Sequence, residues 1–569
     1  MKVLFAGLHL AYFRNFDSVI VELARRGHRV HLTGDETEAM GGQQLAERLA
    51  AGHDGVTWDL LPSLESEPWF DAARRMRVAL DYVRALEPRY PRKLRLRAEV
   101  RTARVVRWAI RTFGWRLTRA ALTRFERLMP ASETMIDYLR GHAPDVVVLT
   151  ALTYSRSQQL DVLKAARALD LPVAAAIMSW DHLSSKALIH VQPDQVIVWN
   201  DVQRDEAVSM HGVPADRIVA TGAQCYDQWF TRVPERSREE FCRAMGLRAD
   251  RPFVLWVHSA LSPTPEPPEP QLVVRWIEAL RAHPDPRLRD AGVLVRPHPE
   301  RLKEWAGIDL TRFEHVAFHG GNPIDRASRD DYFDSLYHSA AVVGLVTSAF
   351  LEAAVVGRPV LTFMLPEYRM HQEEMIHFQY LLTVEGGLLH TAAGLDEHFQ
   401  QLGEALALGG ARDERNRRFI GAFIRPAGLD VAATPRFADT VEALARAGAR
   451  HDASLARGTW LRPLALTAAS WSRTGAGRWL MNDRRADSWD DRARETERAV
   501  EARKQAKVEH YERKARRKAS RRRQELVQAA GKKAKGIWRR TRHRAAVTVY
   551  RGLYAAGVRR GAAPGAGKE

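Results

Sequence analysis

Cysteine is nearly absent: Cys225 and Cys242 are the only two in 569 residues. Two thiols make neither a disulfide framework nor a thiolate metal site without other ligands, and they fit a reducing compartment as small buried hydrophobes. No run approaches the roughly 20 apolar residues that a membrane-spanning helix requires, so an integral membrane protein is not expected. The opening MKVLFAGLHLAYF also lacks the long apolar core and small-residue cleavage site of a secretory signal. Charged Arg14 and Asp17 follow at once, which makes 1–7 a first β-strand. Nor does that strand run into G-x-G-x-x-G, which argues against tight dinucleotide binding there.

What is present is an ordinary apolar content with an uneven charge distribution. At 45% hydrophobic, the chain has material for at least two packed domains. The net charge of +18 is concentrated in two blocks. Residues 451–569 hold 31 Lys and Arg against 12 Asp and Glu, and 71–127 hold 17 against 5. Residues 1–450 as a whole hold 56 basic and 57 acidic groups, so what surrounds the 71–127 block is acidic. Basic blocks of this kind seek phosphate, whether lipid or nucleic acid supplies it.

Hydrophobic periodicity sets the architecture. KVLFAG, then FDSVIVELARRG with helical spacing and a stop at Gly27, then HRVHLTG read as a β–α–β start. Further strands are expected at 145–149, 173–177 and 195–199, with a helix at 157–169, giving a parallel sheet covered on both faces. After a charged helical segment, 232–251, the pattern restarts in PFVLWVHSA, with strands at 292–296, 315–318, 341–345 and 359–363. The expected fold is α/β: two Rossmann-like domains facing a cleft, 1–235 and 236–445, with a basic helical excursion at 71–127. A basic tail, 446–569, is expected to be helical and partly disordered. Its end places Trp538, Ala545, Val549, Leu553 and Ala556 on one face of an interfacial amphipathic helix.

Four loops carry candidate chemistry, each at the carboxyl end of a strand, where ligands bind in such folds. His9 closes the first strand, followed by Tyr12, Phe13, Arg14 and Asn15. His9 either acts as a base or bonds the loop backbone, and Arg14 can hold an anion. SWDHLSSK, 179–186, offers Asp181 or His182 to deprotonate an acceptor hydroxyl, with Lys186 near a phosphate. The alternative is that Asp181 caps the next helix. In VLVRPHPE, Pro297 and Pro299 stiffen a loop that presents Arg296 and His298 to a phosphate. No second His or Cys stands at zinc-ligand spacing there. In VVGLVTSAFLEAAVVGRPVLTF, Thr347 and Ser348 cap a helix whose amides suit a pyrophosphate, and Glu352 is placed for a ribose or sugar hydroxyl.

Taken together, GLHLAYFRNF, SWD, VRPHP and TSAFLEAAVVGRPVL resemble the GT-B glycosyltransferase superfamily. The resemblance is nearest to the bacterial surface-carbohydrate enzymes that include CDP-glycerol glycerophosphotransferases. It covers about residues 1–445, where FIRPAGLDVAATPRFADTVEAL looks like the closing helices. It implies that Arg296, His298, Ser348 and Glu352 lie at the donor nucleotide and phosphates. With no D-x-D pair, it gives no support for an essential metal, and no cofactor is expected beyond the nucleotide-activated donor.

The expected activity is transfer of a glycosyl or glycerophosphoryl group from a nucleotide-sugar or CDP-glycerol-type donor to a lipid-linked or surface-polysaccharide acceptor. A cytoplasmic protein, peripheral at the inner face of the plasma membrane, would dock on anionic lipid through 71–127 and 483–560. No specific nucleic-acid partner is expected, because base-reading motifs are absent. Two alternatives stand beside it: a nucleotide-sugar 2-epimerase of the same fold, which needs no acceptor, and a non-enzymatic nucleic-acid- or polyanion-binding protein that uses the tail.

Overall fold

Apolar runs buried on both faces form the strands of two parallel sheets. The computed structural model describes residues 1–36, 41–154, 157–261, 267–321, 325–407, 413–450 and 459–477, with a few positions besides. The first sheet holds β1 (Lys2–His9), β2 (Arg29–Glu36), β3 (Val56–Leu60), β4 (Val146–Leu149), β5 (Val173–Ala176), β6 (Gln195–Val198) and β7 (Ile218–Ala220). Its order is β3-β2-β1-β4-β5-β6-β7. The second holds β8 (Phe253–Val257), β9 (Gly292–Arg296), β10 (Val316–Phe318), β11 (Ala341–Gly344), β12 (Val360–Phe363) and β13 (His390–Ala392), in the order β10-β9-β8-β11-β12-β13. Each order reverses beside its first strand, between β1 and β4 and between β8 and β11. Those reversals open the crevices where ligands bind in doubly wound sheets. The two Rossmann-like units expected from the sequence are both present.

The basic segment 71–127 is three helices, Phe70–Ala85, Arg92–Arg101 and Arg104–Leu128, the last kinked at Gly114, whose φ is +79°. It is not uniformly solvated. Arg77 is 1% exposed and bonds Glu126 and, at 2.8 and 3.0 Å, Asp161 of the helix Gln159–Ala168. Lys164 adds a third contact to Glu126 at 2.7 Å. These charges hold one another ionised in the interior: Arg77 and Lys164 draw the Glu126 carboxyl down to about 2 against the upward push of burial. The same first helix reaches the 179–186 loop. Buried Arg84 donates to the Lys186 carbonyl, and Asp81 accepts the Leu188 amide at 2.8 Å.

Two further segments fold where the sequence division did not put them. The helix Ala433–Ala447, grouped with the second sheet, packs Phe437, Ala438, Val441 and Leu444 against Val3, Phe5 and Phe16 of the first. Its charged side pairs there too, with Arg26 on Asp439 and His28 on Glu442. Gly222, at φ +97°, permits the close approach: an added Cβ would stand 2.8 Å from that of Ala433. In the segment assigned to the tail, the helix Arg462–Trp471 buries Ala465 and Ala469 in the first lobe's core. The chain forms one compact body, Met1–Asp487, and a second unit, Ser488–Glu569. The basic tail helix and most of the amphipathic one lie outside the described residues. No described helix is long and apolar enough to cross a membrane.

Removing Arg77 strands the buried Asp161 carboxylate and leaves Glu126 to Lys164 alone. Arg77→Ala is expected to lower stability by about 3–5 kcal/mol, as for other broken buried ion pairs. Urea unfolding followed by tryptophan fluorescence measures it, and a loss below about 1 kcal/mol would place the network in contact with water.

Candidate functional site

At the switch point of the first sheet, β1 ends on His9 and the chain turns through a 3₁₀ segment, Leu10–Asn15. The His9 ring meets Tyr12 edge-on, with centroids 4.2 Å apart. The Tyr12 and Tyr154 rings also meet edge-on, with centroids 5.9 Å apart. The Tyr154 hydroxyl lies 3.3 Å from His182 Nε2, and Lys186 Nζ stands 5.5 Å from the Tyr154 ring centre. Burial pushes both tyrosines up, so they serve as proton-bearing donors at neutral pH. His182 is buried and its pKa falls to about 4; burial is the main cause, opposed by Asp181 and assisted by Lys186. It is therefore a neutral imidazole under ordinary conditions.

Asp181 does not fit the role of base. Burial would raise its pKa, but His182, His377, Lys186 and the Ser179 hydroxyl together hold it well below the usual carboxylate range. Its oxygens are occupied as well, Oδ1 by Ser179 Oγ at 2.7 Å and Oδ2 by Ser185 Oγ at 2.9 Å. A carboxylate so stabilised is a poor proton acceptor. Nor does its side chain cap the short helix His182–Ser185. It organises the loop.

In the second sheet, β9 ends on Arg296, which is 6% exposed. Its Nη1 donates to Asp331 at 2.8 Å, and the guanidinium lies over the Tyr332 ring at 5.3 Å. Gly320, at φ +127°, leaves room for it: an added Cβ would approach the guanidinium to 2.8 Å. Arg296, Phe318, His319, Gly320, Gly321, Ser328 and Asp331 line an open cavity of ≈ 450 Å³. His298 does not join Arg296. Its ring accepts the Glu300 amide at 3.3 Å and caps the turn Pro299–Trp305, so it serves the loop's own geometry.

The helix Ala349–Val356 follows β11 as expected, but the capping differs. Ser348 is exposed and makes no cap bond; Thr347 Oγ1 instead accepts the Ala349 amide at 3.3 Å. Glu352 receives a hydrogen bond from the Tyr332 hydroxyl, and burial raises its pKa against the effects of Tyr332 and of Arg14. Arg14 belongs to the first lobe and is exposed, and its charge acts on Tyr12, Glu352 and Arg329 together. Asn15, beside it, gives its carbonyl to Gln224 Nε2 at 3.1 Å. Arg296, Tyr332 and Glu352 thus form one chain of contacts, and the charge of Arg14 from the first lobe acts on Glu352.

Other contacts span the cleft. Trp180 meets His377 edge-on at 4.9 Å, Glu206 accepts from Tyr380 at 2.7 Å, and Asp17 and Arg329 approach to 3.8 Å. Tyr154, Tyr332, His377, Glu206 and Tyr380 are the members that sequence reasoning missed. Each comes from a segment with no motif of its own.

Glu206 predicts a pH dependence. Burial first, against the hydrogen bond from Tyr380, raises its pKa from 4.5 to about 7. The folded state therefore holds this proton between those values while the unfolded chain releases it, so the contribution to stability falls as pH rises from about 4.5 to about 7. Glu206→Gln cannot lose the proton. Its melting temperature relative to the unsubstituted protein should climb through that window, and parallel curves would contradict the assignment.

No protein-family model and no curated protein matches the chain. Among solved structures it is similar to a glycosyltransferase from Rickettsia africae ESF-5, at 10% identity and a TM-score of 0.46, covering 78% of this chain and 98% of that one. It is similar also to the UDP-GlcNAc 2-epimerase from Neisseria meningitidis bound to UDP-GlcNAc, at 12% identity and a TM-score of 0.45, covering 78% and 100%. A third is WaaG, a glycosyltransferase involved in lipopolysaccharide biosynthesis, at 13% identity and a TM-score of 0.41, covering 77% and 99%. Likeness at this level carries no argument about activity, which rests on the site itself.

Proposed function

We propose that this chain is a transferase that moves a glycosyl or glycerophosphoryl group from a nucleotide-activated donor to an acceptor hydroxyl. The observation that carries the reading is the chain Arg296–Tyr332–Glu352, whose Glu352 also feels the charge of Arg14 from the opposite lobe. The donor nucleotide lies along the second sheet, in the cavity beside Arg296 and at the helix led by exposed Ser348. Glu352 holds a ribose or sugar hydroxyl. The acceptor enters from the first lobe, where His9 takes its proton as the oxygen attacks the transferred group. The bond to the departing nucleotide phosphate breaks, and Arg14 and Arg296 meet the negative charge that develops there.

Donor binding is tested by thermal shift with UDP, CDP, GDP and their sugar or glycerol conjugates, since a ligand of the native state raises apparent stability. A base-selective shift that Arg296→Ala abolishes is expected, and no shift with any nucleotide at millimolar concentration refutes the donor site. Once a donor is known, Arg14→Ala should lower kcat/KM by roughly 10²-fold or more, the scale of losing one preorganised donor to a developing anion. Isomerised donor formed without acceptor would replace transfer by 2-epimerisation.

The acceptor is taken to be lipid-linked, presented at an anionic membrane surface by the helix Arg104–Leu128. That helix exposes Trp108, Phe113 and Leu117 by 58%, 56% and 67%, among exposed Arg104, Arg111 and Arg116. Aromatic side chains beside arginines suit the headgroup layer of an anionic bilayer. Sedimentation with phosphatidylglycerol vesicles should show binding that weakens with salt and drops several-fold in the pair Trp108→Ser, Phe113→Ser. Equal binding to zwitterionic vesicles would contradict it.

A further inference from the structure

Away from the cleft loops, three metal-ligating side chains from distant parts of the sequence converge on one face of the first sheet. His31 of β2 and Thr57 of β3 are register partners, and Asp59, two residues on, shares their face because side chains alternate along a strand. His142 ends the helix Glu133–His142 that covers this face. His31 Nε2 lies 3.0 Å from Asp59 Oδ1 and His142 Nε2 lies 3.1 Å from Asp59 Oδ2. One ligand atom from each of the three falls within 4.8 Å of the others. The two imidazole rings stack with centroids 4.0 Å apart.

We propose that His31, Asp59 and His142 form a binding site for a divalent transition metal of zinc's chemistry, which ties the edge strand β3 to β2 and to the covering helix. Two imidazoles and one carboxylate are a ligand set that such ions take, with bonds of roughly 2.0–2.2 Å. Tetrahedral bonds of that length set ligand atoms roughly 3.3 Å apart, close to the spacing of both His–Asp pairs. The surroundings match a supported ligand set. His31 Nδ1 meets Thr57 Oγ1 at 2.8 Å, which fixes the ring and turns Nε2 toward the carboxylate. The Tyr138 hydroxyl donates to Asp59 Oδ1 at 2.6 Å. Outer partners of this kind orient first-sphere ligands. An entry path exists as well, because His31 is buried while the Asp59 and His142 side chains are 39% and 24% exposed. A solvent molecule on that open side completes four ligands. It stands on the sheet's face and shares no residue with the cleft.

The test uses the full-length protein, stripped with a chelator and titrated with Zn²⁺ by calorimetry, with metal content measured after desalting. One retained equivalent and a melting temperature that rises with Zn²⁺ concentration are expected. Asp59→Asn and His142→Gln should each weaken binding at least 10-fold and abolish the thermal rise. Circular dichroism confirms that both variants are folded. Co²⁺ in place of zinc should give visible ligand-field bands that Asp59→Asn removes. Absence of a stoichiometric equivalent in the unsubstituted protein overturns the site. So does binding that survives both substitutions unchanged, which would assign the metal to other histidines. None of these readouts involves turnover, so they stand or fall independently of the proposed transferase activity.

Discussion

The relation between the two lobes depends on one carboxylate, Asp227. The chain passes to the second lobe just after it and comes back beside it. Oδ1 accepts from Arg425 Nη2 at 3.0 Å and from the Ala433 amide at 3.1 Å, and Oδ2 accepts the Thr434 amide at 2.6 Å. Those amides open the returning helix, whose own N-cap, Ala432, has no side chain able to accept them. A helix start left bare by its local sequence is thus capped from the outgoing crossing. Arg425 also lies over the Phe230 ring at 3.5 Å. Because both crossings share this charge-assisted knot, the lobes cannot part there without exposing it. Elsewhere the lobes meet through Glu206 with Tyr380 and through a buried cluster in which Trp180 and Trp199 join Phe378 and Leu381.

The fold was legible where burial leaves a local signature. Parallel strands covered on both faces are continuous apolar runs, and VVVL, FVLWV and GVLVR announce themselves. Strands β3, β7 and β13, each with a single buried residue, were not expected, because so little burial leaves no strong apolar run. The destination of the helix Ala433–Ala447 was hidden for another reason. An apolar stripe says that a helix packs and does not say on what. The basic excursion misled in a third way, since sequence counts arginines without orienting them. Arg77 and Arg84 point into the protein and hold the core and the 179–186 loop, whereas Arg111 and Arg116 face solvent. A block that reads as one electrostatic surface is half structural.

The candidate site divides along the same line. Loops at strand ends could be found from the sequence, and His9, Arg14, His182, Lys186, Arg296 and Glu352 all come to the cleft from them. The groups that join these residues could not be found so, because Tyr154 and Tyr332 sit in segments without a pattern. Proximity in the chain also overstated partnership. Arg296 and His298 are two residues apart, yet Pro297 and Pro299 set their side chains on different partners, Asp331 for one and the Glu300 amide for the other.

Arg296 already holds a carboxylate, which at first counts against phosphate binding. The geometry answers this. The bond to Asp331 uses Nη1 alone, while the rest of the planar fork lies under Gly320 beside the cavity. Asp331 is itself shared with Arg236 at 2.8 Å and His319 at 3.1 Å, so its charge is divided among three donors. A guanidinium held in this way gives up little rotamer freedom when an anion arrives and keeps further N–H groups to offer it. The ion pair therefore acts as a positioning device. It fixes the orientation of a buried cation in advance, beside the cavity that both Arg296 and Asp331 line.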